Sequence, residues 1–460
     1  VASWGPNNNI VFSDYNKRCL WLVSANGGTP EQLTTAMRWS NEEIENSHGW
    51  PQFLPGGKAI LYTVFHNSDN MRIALYSLET GETKTLIEPG SHAVYLKTGH
   101  LVYTWKGDLM AVPFDMKKME VSGQPVEILR GIMMPSNGLA HYSISDNGTL
   151  AYVPGKYMVS SNKLVFVDHK GTTEYLDFPT GTYQSPSISP DGKQILISRY
   201  QGKANLWIYG LDRGTFRRFT EPEYETFWAI WTPDGEKIVF SSNRDRSTHM
   251  NLFMKRQDSS GPIDRLTSSN FNQHPKSWSK DGKYLIYFEN AQTETGQDIY
   301  MIQMEGDRTP VPLHNTKYSE THPIVSPDGN WLAYVSDEPG QDEVFVCSFP
   351  EGSKITQIST SGGIEPVWAP DGKELYYRDY SGNNLMAVSI TTEPNLLPGN
   401  PRIILNGSFK KGYPWGRNYD ITPDGQRFLM IEEEDIVSEV DQINIIHNWF
   451  EQLNSKMDGQ

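Results

Sequence analysis

One phrase recurs through this chain at near-constant spacing: a Pro-Asp-Gly turn followed by an apolar strand. Its strongest copies are SISPDGKQILIS from Ser187, IWTPDGEKIVFSS from Ile230, SWSKDGKYLIYF from Ser277, IVSPDGNWLAYVS from Ile324, VWAPDGKELYYRD from Val367 and DITPDGQRFLMI from Asp420. Their turn glycines, Gly192, Gly235, Gly282, Gly329, Gly372 and Gly425, are 43, 47, 47, 43 and 53 residues apart. Weaker copies lie upstream, at Gln52 (QFLPGGKAILYT), Tyr95 (YLKTGHLVYTW) and Ser143 (SISDNGTLAYV), and SWGPNNNIVFSD from Ser3 reads as another, giving ten in all. Internal periodicity of this length marks a repeat architecture.

The chemistry of one copy dictates a hairpin. Proline presets φ and glycine takes positive φ at no steric cost, which makes a tight turn. The alternation after it marks a strand with one buried face. A third run follows, as in ANLWIYGLD, NLFMKRQ, DIYMIQM and EVFVCSF, and then a shorter fourth, as in FRRFT, IDRLT, VPLHN and ITQIST. Four antiparallel strands in about 45 residues make a propeller blade, which must stack on neighbours to bury its faces. The expected fold is therefore all-β, a β-propeller of about ten four-stranded blades. They form either one large ring or two rings, the second six-bladed. Residues 1–180 are expected to hold the four degenerate repeats and 181–460 the six regular ones, or both to form one continuous propeller. KYMVSSN at 156–162 is the linker candidate, and QINIIHNWFEQLNSK from Gln442 reads as a strand that completes the last blade, followed by a short helix. Each turn Asp is expected to bond its own backbone, because the alternating carboxylates of a calcium loop are absent.

Composition narrows the partners. A formal charge of −15 over 460 residues repels phosphate backbones, so nucleic acid is not an expected partner. No stretch approaches the ~20 apolar residues of a membrane helix, so this chain is not expected to insert in a membrane. The two cysteines, Cys19 and Cys347, lie far apart and read as buried small hydrophobes. The chain opens at Val1 without Met or a visible signal peptide, which fits a processed or truncated product whose upstream signal or anchor is absent from this chain.

The stretches RGTFRRFTEPEYETFWAIWTPDGEKIVFSS, SPDGNWLAYVSDEPGQDEVFVCSFP, GGIEPVWAPDGKELYYRD and INIIHNWFEQL resemble the TolB-like, WD-repeat-like propellers with a Pro-Asp-Gly signature. They are most similar to the propeller region C-terminal to bacterial membrane-anchored serine/threonine protein kinases. The resemblance implies an extracytoplasmic (periplasmic or secreted) sensor or binding module and brings no catalytic residues or cofactor with it. Such kinases carry the catalytic domain and a membrane helix upstream. This chain has neither a Gly-rich phosphate loop nor a His-Arg-Asp catalytic loop.

No nucleophile elbow, His-Glu-x-x-His or paired Cys-x-x-Cys motif is present, so no catalytic or metal-ligating residue is assigned. What remains is a set of polar and aromatic residues where loops enter the innermost strands: His48, Trp50, His92, His141, Trp228, His274, His322, Glu365, Arg417 and Tyr419. Rotation from blade to blade brings such positions toward a central channel, where they become candidate binding residues. The Trp of IWT, SWS and VWA, by contrast, are expected in the blade-to-blade core. The first functional reading is a non-catalytic propeller that binds a protein, peptide or glycan. The alternatives are a polysaccharide lyase or hydrolase with a His/Tyr/Arg cleft, for which only Arg417 and Lys276 supply cations near the loops, and a component of a cell-envelope assembly.

Overall fold

The computed structural model describes all residues except 15–18, 36–46, 68–69, 136–137, 159–161, 180, 202, 246, 248, 291–295, 393–394, 413–415, 434–441 and 459–460. The turn that opens each regular repeat is built by one local rule. Thr232 Oγ1 donates to Asp234 Oδ1 (2.5 Å), and Asp234 Oδ1 accepts the Glu236 amide (2.9 Å). Ser189, Ser279, Ser326 and Thr422 pair in the same way with Asp191, Asp281, Asp328 and Asp424. The Asp of each turn is a backbone-bonding residue, as its sequence context requires. The fifth copy has Ala369 in place of the hydroxyl, and Asp371 accepts only the Lys373 amide there (3.0 Å).

The chain divides into two compact units, Ser161–Asp435 and a second made of Val1–Ser160 with Ile436–Gln460. In the first unit, five antiparallel sheets follow one another along the sequence. They are Thr182–Ile188, Gln194–Gln201, Lys203–Gly210 and Thr215–Arg218; Thr226–Trp231, Lys237–Ser242, Asn251–Arg256 and Asp264–Arg265; Asn272–Trp278, Tyr284–Asn290, Gln297–Gln303 and Val311–His314; Glu320–Val325, Trp331–Ser336, Glu343–Ser348 and Thr356–Gln357; and Ile364–Trp368, Glu374–Arg378 and Asn384–Thr391, the last paired with both Leu397–Pro398 and Arg402–Asn406. The sixth sheet is composite. Tyr419–Ile421 and Arg427–Glu433 come from the late chain, and Asn162–Asp168 and Thr173–Tyr175 from the early chain. The Pro-Asp-Gly blade at Asp420 is thus completed by residues 162–175, which the sequence grouped with the degenerate repeats. The strand after Gln442 goes elsewhere: Asn444–Ile446 pairs with Leu150–Tyr152 in the other unit.

The six turns report ring closure directly. A Cβ on each turn glycine would lie against the turn residue two places before the Gly of the preceding blade. Gly235 faces Pro190, Gly282 faces Pro233, Gly372 faces Pro327 and Gly425 faces Pro370; Gly329 meets Lys280 where Pro is absent. Gly192 of the first blade faces Pro423 of the last, which closes the cycle. Packing explains why these strands read as nearly continuous apolar runs. Leu332 and Tyr334 pack with Ile286 and Phe288 of the preceding blade, while Trp331, Ala333 and Val335 pack with Trp368, Leu375 and Tyr377 of the next. The period of two persists, but both faces are buried, where the alternation alone predicts one. Trp231 and Trp368 are almost fully buried, and each donates its Nε1–H to the inner strand of the preceding blade, at Ser187 O and Ile324 O (both 3.2 Å).

The other unit holds three sheets of blade type: Ala2–Trp4 through Glu31–Gln32, Ser47–Phe53 through Thr83–Ile87, and Ser91–Leu96 through Val126–Leu129. Its fourth, Tyr142–Ile144, Leu150–Tyr152 and Asn444–Ile446, has three strands rather than the expected four. The helix Trp449–Asp458 follows and buries Trp449 and Leu453 against Leu150, Tyr142 and Ile128. Of the linker candidate, Tyr157–Met158 pairs with Met134–Pro135, and 159–161 lie outside the described residues. Of the acidic run from Ile431, 434–441 do as well.

Candidate functional site

Seven residues before six of the turn glycines stands a non-glycine residue with positive φ: Trp50 (46°), His92 (49°), Ser185 (51°), Trp228 (42°), His322 (53°) and Glu365 (56°). The register of the Ser185, Trp228, His322 and Glu365 strands shifts at this point, as in a β-bulge. A left-handed residue with a Cβ costs about 1–2 kcal/mol, and a bulge re-aims its side chain. Repetition in blade after blade makes this a device of the fold: in the ring it turns Ser185, Trp228 and His322 toward the space that the inner strands enclose. The third ring blade departs from it. Pro275 occupies the position, which leaves Lys276 facing inward and His274 in the wall.

In the ring, the inner strands surround a cavity of about 470 Å³, counting its open mouth. Ser185, Trp228, Lys276, His322 and Arg417 line it, with Pro186, Pro275, Pro323 and Pro366 as walls. Of the residues predicted to converge, Trp228, His322 and Arg417 therefore reach the cavity. His274, Glu365 and Tyr419 do not line it, because packing claims them. The His274 ring stacks on Phe288 (centroids 4.5 Å) and meets Trp228 edge-on (4.1 Å). Tyr419 is fully buried and donates its hydroxyl to Glu365 O (2.7 Å). Glu365 is fully buried, with Oε1 accepting the Gly412 amide (2.6 Å) and Oε2 the Asn418 amide (3.1 Å). The chain comes so close here that a Cβ on Gly412 would lie 2.0 Å from Gly416 O, and one on Gly416 2.5 Å from Ser185 Oγ.

Charge is arranged unevenly around this space. Arg417 donates Nη2–H to Asp420 Oδ1 (2.9 Å) and Nε–H to Tyr419 O (2.8 Å), and Asp420 Oδ2 accepts the Ile188 amide (2.8 Å) across the ring seam. Both nearby carboxylates are thus engaged by backbone amides, and burial raises the Glu365 and Asp420 carboxyls above the ordinary range. Lys276 Nζ lies over the Phe288 ring (5.2 Å to the centroid). Burial first, and then the Arg417 charge, push its ammonium down to about 7, with Glu365 opposing. Burial, Lys276 and Arg417 hold His322 neutral, well below the usual imidazole range.

The remaining candidates belong to the other unit. His48 Nδ1 lies 2.7 Å from Thr34 Oγ1 and is buried. Trp50 packs on Phe65 (4.4 Å) and stands 6.4 Å from the His92 ring. His92 Nδ1 meets Ala140 O (3.1 Å), Tyr142 covers its ring, and burial pushes it down to about 4. His141 is exposed. The sequence reading did not single out Ser185 or Asp420. Counting back seven residues from Gly192 finds the first; the second has no signal beyond its place in the repeat.

Comparison with known proteins follows the same lines. Residues 114–296 match the family described as the TolB beta propeller domain. A stretch of 110 residues is 31% identical to a Sulfurisphaera tokodaii protein named as a Tricorn-like protease C-terminal subunit, covering 24% of this chain and 12% of that one. Another of 85 residues is 33% identical to the Tol-Pal system protein TolB of Anaeromyxobacter dehalogenans, covering 18% and 19%. The match thus spans less than a quarter of the length of either relative. Among solved structures, an Agrobacterium tumefaciens protein described as a TolB superposes with a TM-score of 0.50 at 17% identity, over 61% of this chain and all of that one. The repeats, the closed six-blade ring and the family match lead to one conclusion: this all-β chain carries a TolB-like β-propeller domain.

Proposed function

We propose that the chain is a non-catalytic binding propeller that works outside the cytoplasm and presents the axial cavity of its 161–435 ring to a protein partner. The observation that carries this reading is the state of the polar groups around the cavity. Glu365 and Asp420 are each held by backbone amides, and the His322 imidazole is kept neutral beside two cations. Glu365, Asp420 and His322, fixed in this way, recognise a ligand rather than move protons; Lys276, whose ammonium is pushed down to about 7, is the group that the turnover assay below tests as a base. The sensor role implied by the likeness to kinase-linked propellers is one form of this reading. Membership of a multi-protein assembly is another, favoured by the match to a Tol-Pal system protein.

The test is capture from native envelope extract on the immobilised full chain, repeated with Trp228→Ala. A single stoichiometric protein partner, retained by the parent and lost by the variant, is the expected result. A turnover reaction on anionic glycans that disappears with the same substitution would replace binding with catalysis.

A further inference from the structure

Donor side chains converge on the ring cavity. Four prolines, which have no N–H to offer, line it together with the Trp228 indole, Ala229, Ile230 and Ile324. Among the described residues, the polar ones lining it are Lys276, Arg417, His322, Ser185 and Ser187. Arg417 spends Nε on Tyr419 O and Nη2 on Asp420, and among the described residues Nη1 makes no hydrogen bond. His322 is more than nine-tenths buried, and its Nε2 has no partner of good geometry, although the Gly416 backbone is close. Its Nδ1 lies 3.0 Å from Thr321 Oγ1. The tautomer in which Nδ1 accepts that hydroxyl leaves Nε2 as a donor aimed into the cavity. Two cations and a buried imidazole N–H converge on one small space, inside a protein whose formal charge is −15.

We propose that this cavity is a carboxylate-binding site, in which Arg417, Lys276 and His322 receive a carboxylate on a short unbranched stem, supplied by an extended peptide. The assignment rests on the binding reading above and gives it a ligand chemistry. Arg417 Nη1, left over from the bonds to Tyr419 O and Asp420, offers a charge-assisted N–H to a carboxylate oxygen. The stem is set by the walls: pyrrolidine rings and an indole give an apolar sleeve for one or two methylenes. The free space within the cavity proper is about 50 Å³, room for roughly three to five waters. That accommodates a carboxylate and its stem. An incoming anion also relieves the crowding of Lys276 against Arg417, so binding and the protonation of Lys276 reinforce each other.

The test titrates the full chain with propionate at constant ionic strength by calorimetry, then with Ac-Gly-Gly-Glu-NH2, its Gln counterpart and Ac-Gly-Gly-Gly-OH. Saturable propionate binding is expected, weakened roughly tenfold or more by Lys276→Met and by Arg417→Gln. Arg417→Lys, which keeps a charge beside Asp420, guards against a folding artefact and is expected to bind with intermediate strength. Of the two peptide acids, the one that binds identifies a side-chain or a C-terminal source, and the Gln peptide should be silent. Equal binding by the parent and by Lys276→Met, or no saturable binding at all, overturns the proposal. Galacturonate binding more tightly than any peptide overturns the peptide assignment. If a captured protein partner is retained undiminished by Lys276→Met, the carboxylate site falls and the binding reading stands. If propionate binds as expected and no partner is captured, the reverse holds.

Discussion

Glu320 shows what burial does to a single side chain in this fold. It is almost fully buried on the inner strand of the fourth ring blade; Oε1 accepts the Thr316 hydroxyl and Oε2 has no partner. Burial, aided by the charges of Asp298 and Asp337, pushes its carboxyl up to about 7. The folded chain therefore keeps a proton that the unfolded chain loses near the ordinary carboxylate value. The stability this group contributes is complete below that value and is lost as pH rises through about 7. His274 and His322 act in the opposite sense. Both are held neutral well below the imidazole range, so their contribution is present above about 6.5 and is lost as pH falls below it. Glu320→Gln isolates the first effect: its chemical-denaturation midpoint should gain on the parent as pH goes from about 5 to about 8. An identical pH slope in the two proteins would remove Glu320 from the account. None of this was legible in THPIV and its neighbours, because burial of one particular Glu is decided by the next blade.

At the scale of the element, the hairpin turn is where sequence and structure agree most closely, because its determinants are local. Proline, aspartate, glycine and the preceding hydroxyl sit within four residues and satisfy one another. One repeat supplies a natural comparison, since Ala369 stands where the others carry Ser or Thr. Thr232→Ala should cost about 1 kcal/mol, and Ala369→Ser should return somewhat less, each read as a shift in the thermal midpoint. The inner strands were legible in a different way. That they carry candidate residues was clear; that a bulge seven residues before the glycine decides which ones point inward was not. Proline displaces that position by one in the HPKSW strand, so His274 looked like the counterpart of His322 and proved to be wall, while Lys276 took the inward place. The Trp of IWT and VWA were read correctly as core, because a large apolar side chain just before a tight turn has no other surface to cover.

For the molecule as a whole, the number of repeats was legible and their partnership was not. Pairing of 162–168 with 427–433, and of 150–152 with 444–446, joins segments that no local pattern connects. The C-terminal helix is the clearest test of the second pairing. Trp449→Ala removes a fully buried indole from the Val1–Ser160 unit and should cost about 3–5 kcal/mol. Calorimetry should show one transition lowered and the ring's transition unmoved; a uniform shift of both would mean that the units unfold as one. The same pairings also set an order of events. The chain leaves the Val1–Ser160 unit near residue 160 and returns to it near 436, so the ring is enclosed in the sequence like a clause in parentheses. As the polypeptide emerges from the ribosome, the strand 162–168 must wait for nearly the whole ring before its partner appears, and 150–152 must wait longer still. The ring is synthesised between the two halves of the outer unit, so a nascent chain carries an unpaired edge from each unit while the ring is made, and residues 444–446 release 150–152 from that exposure.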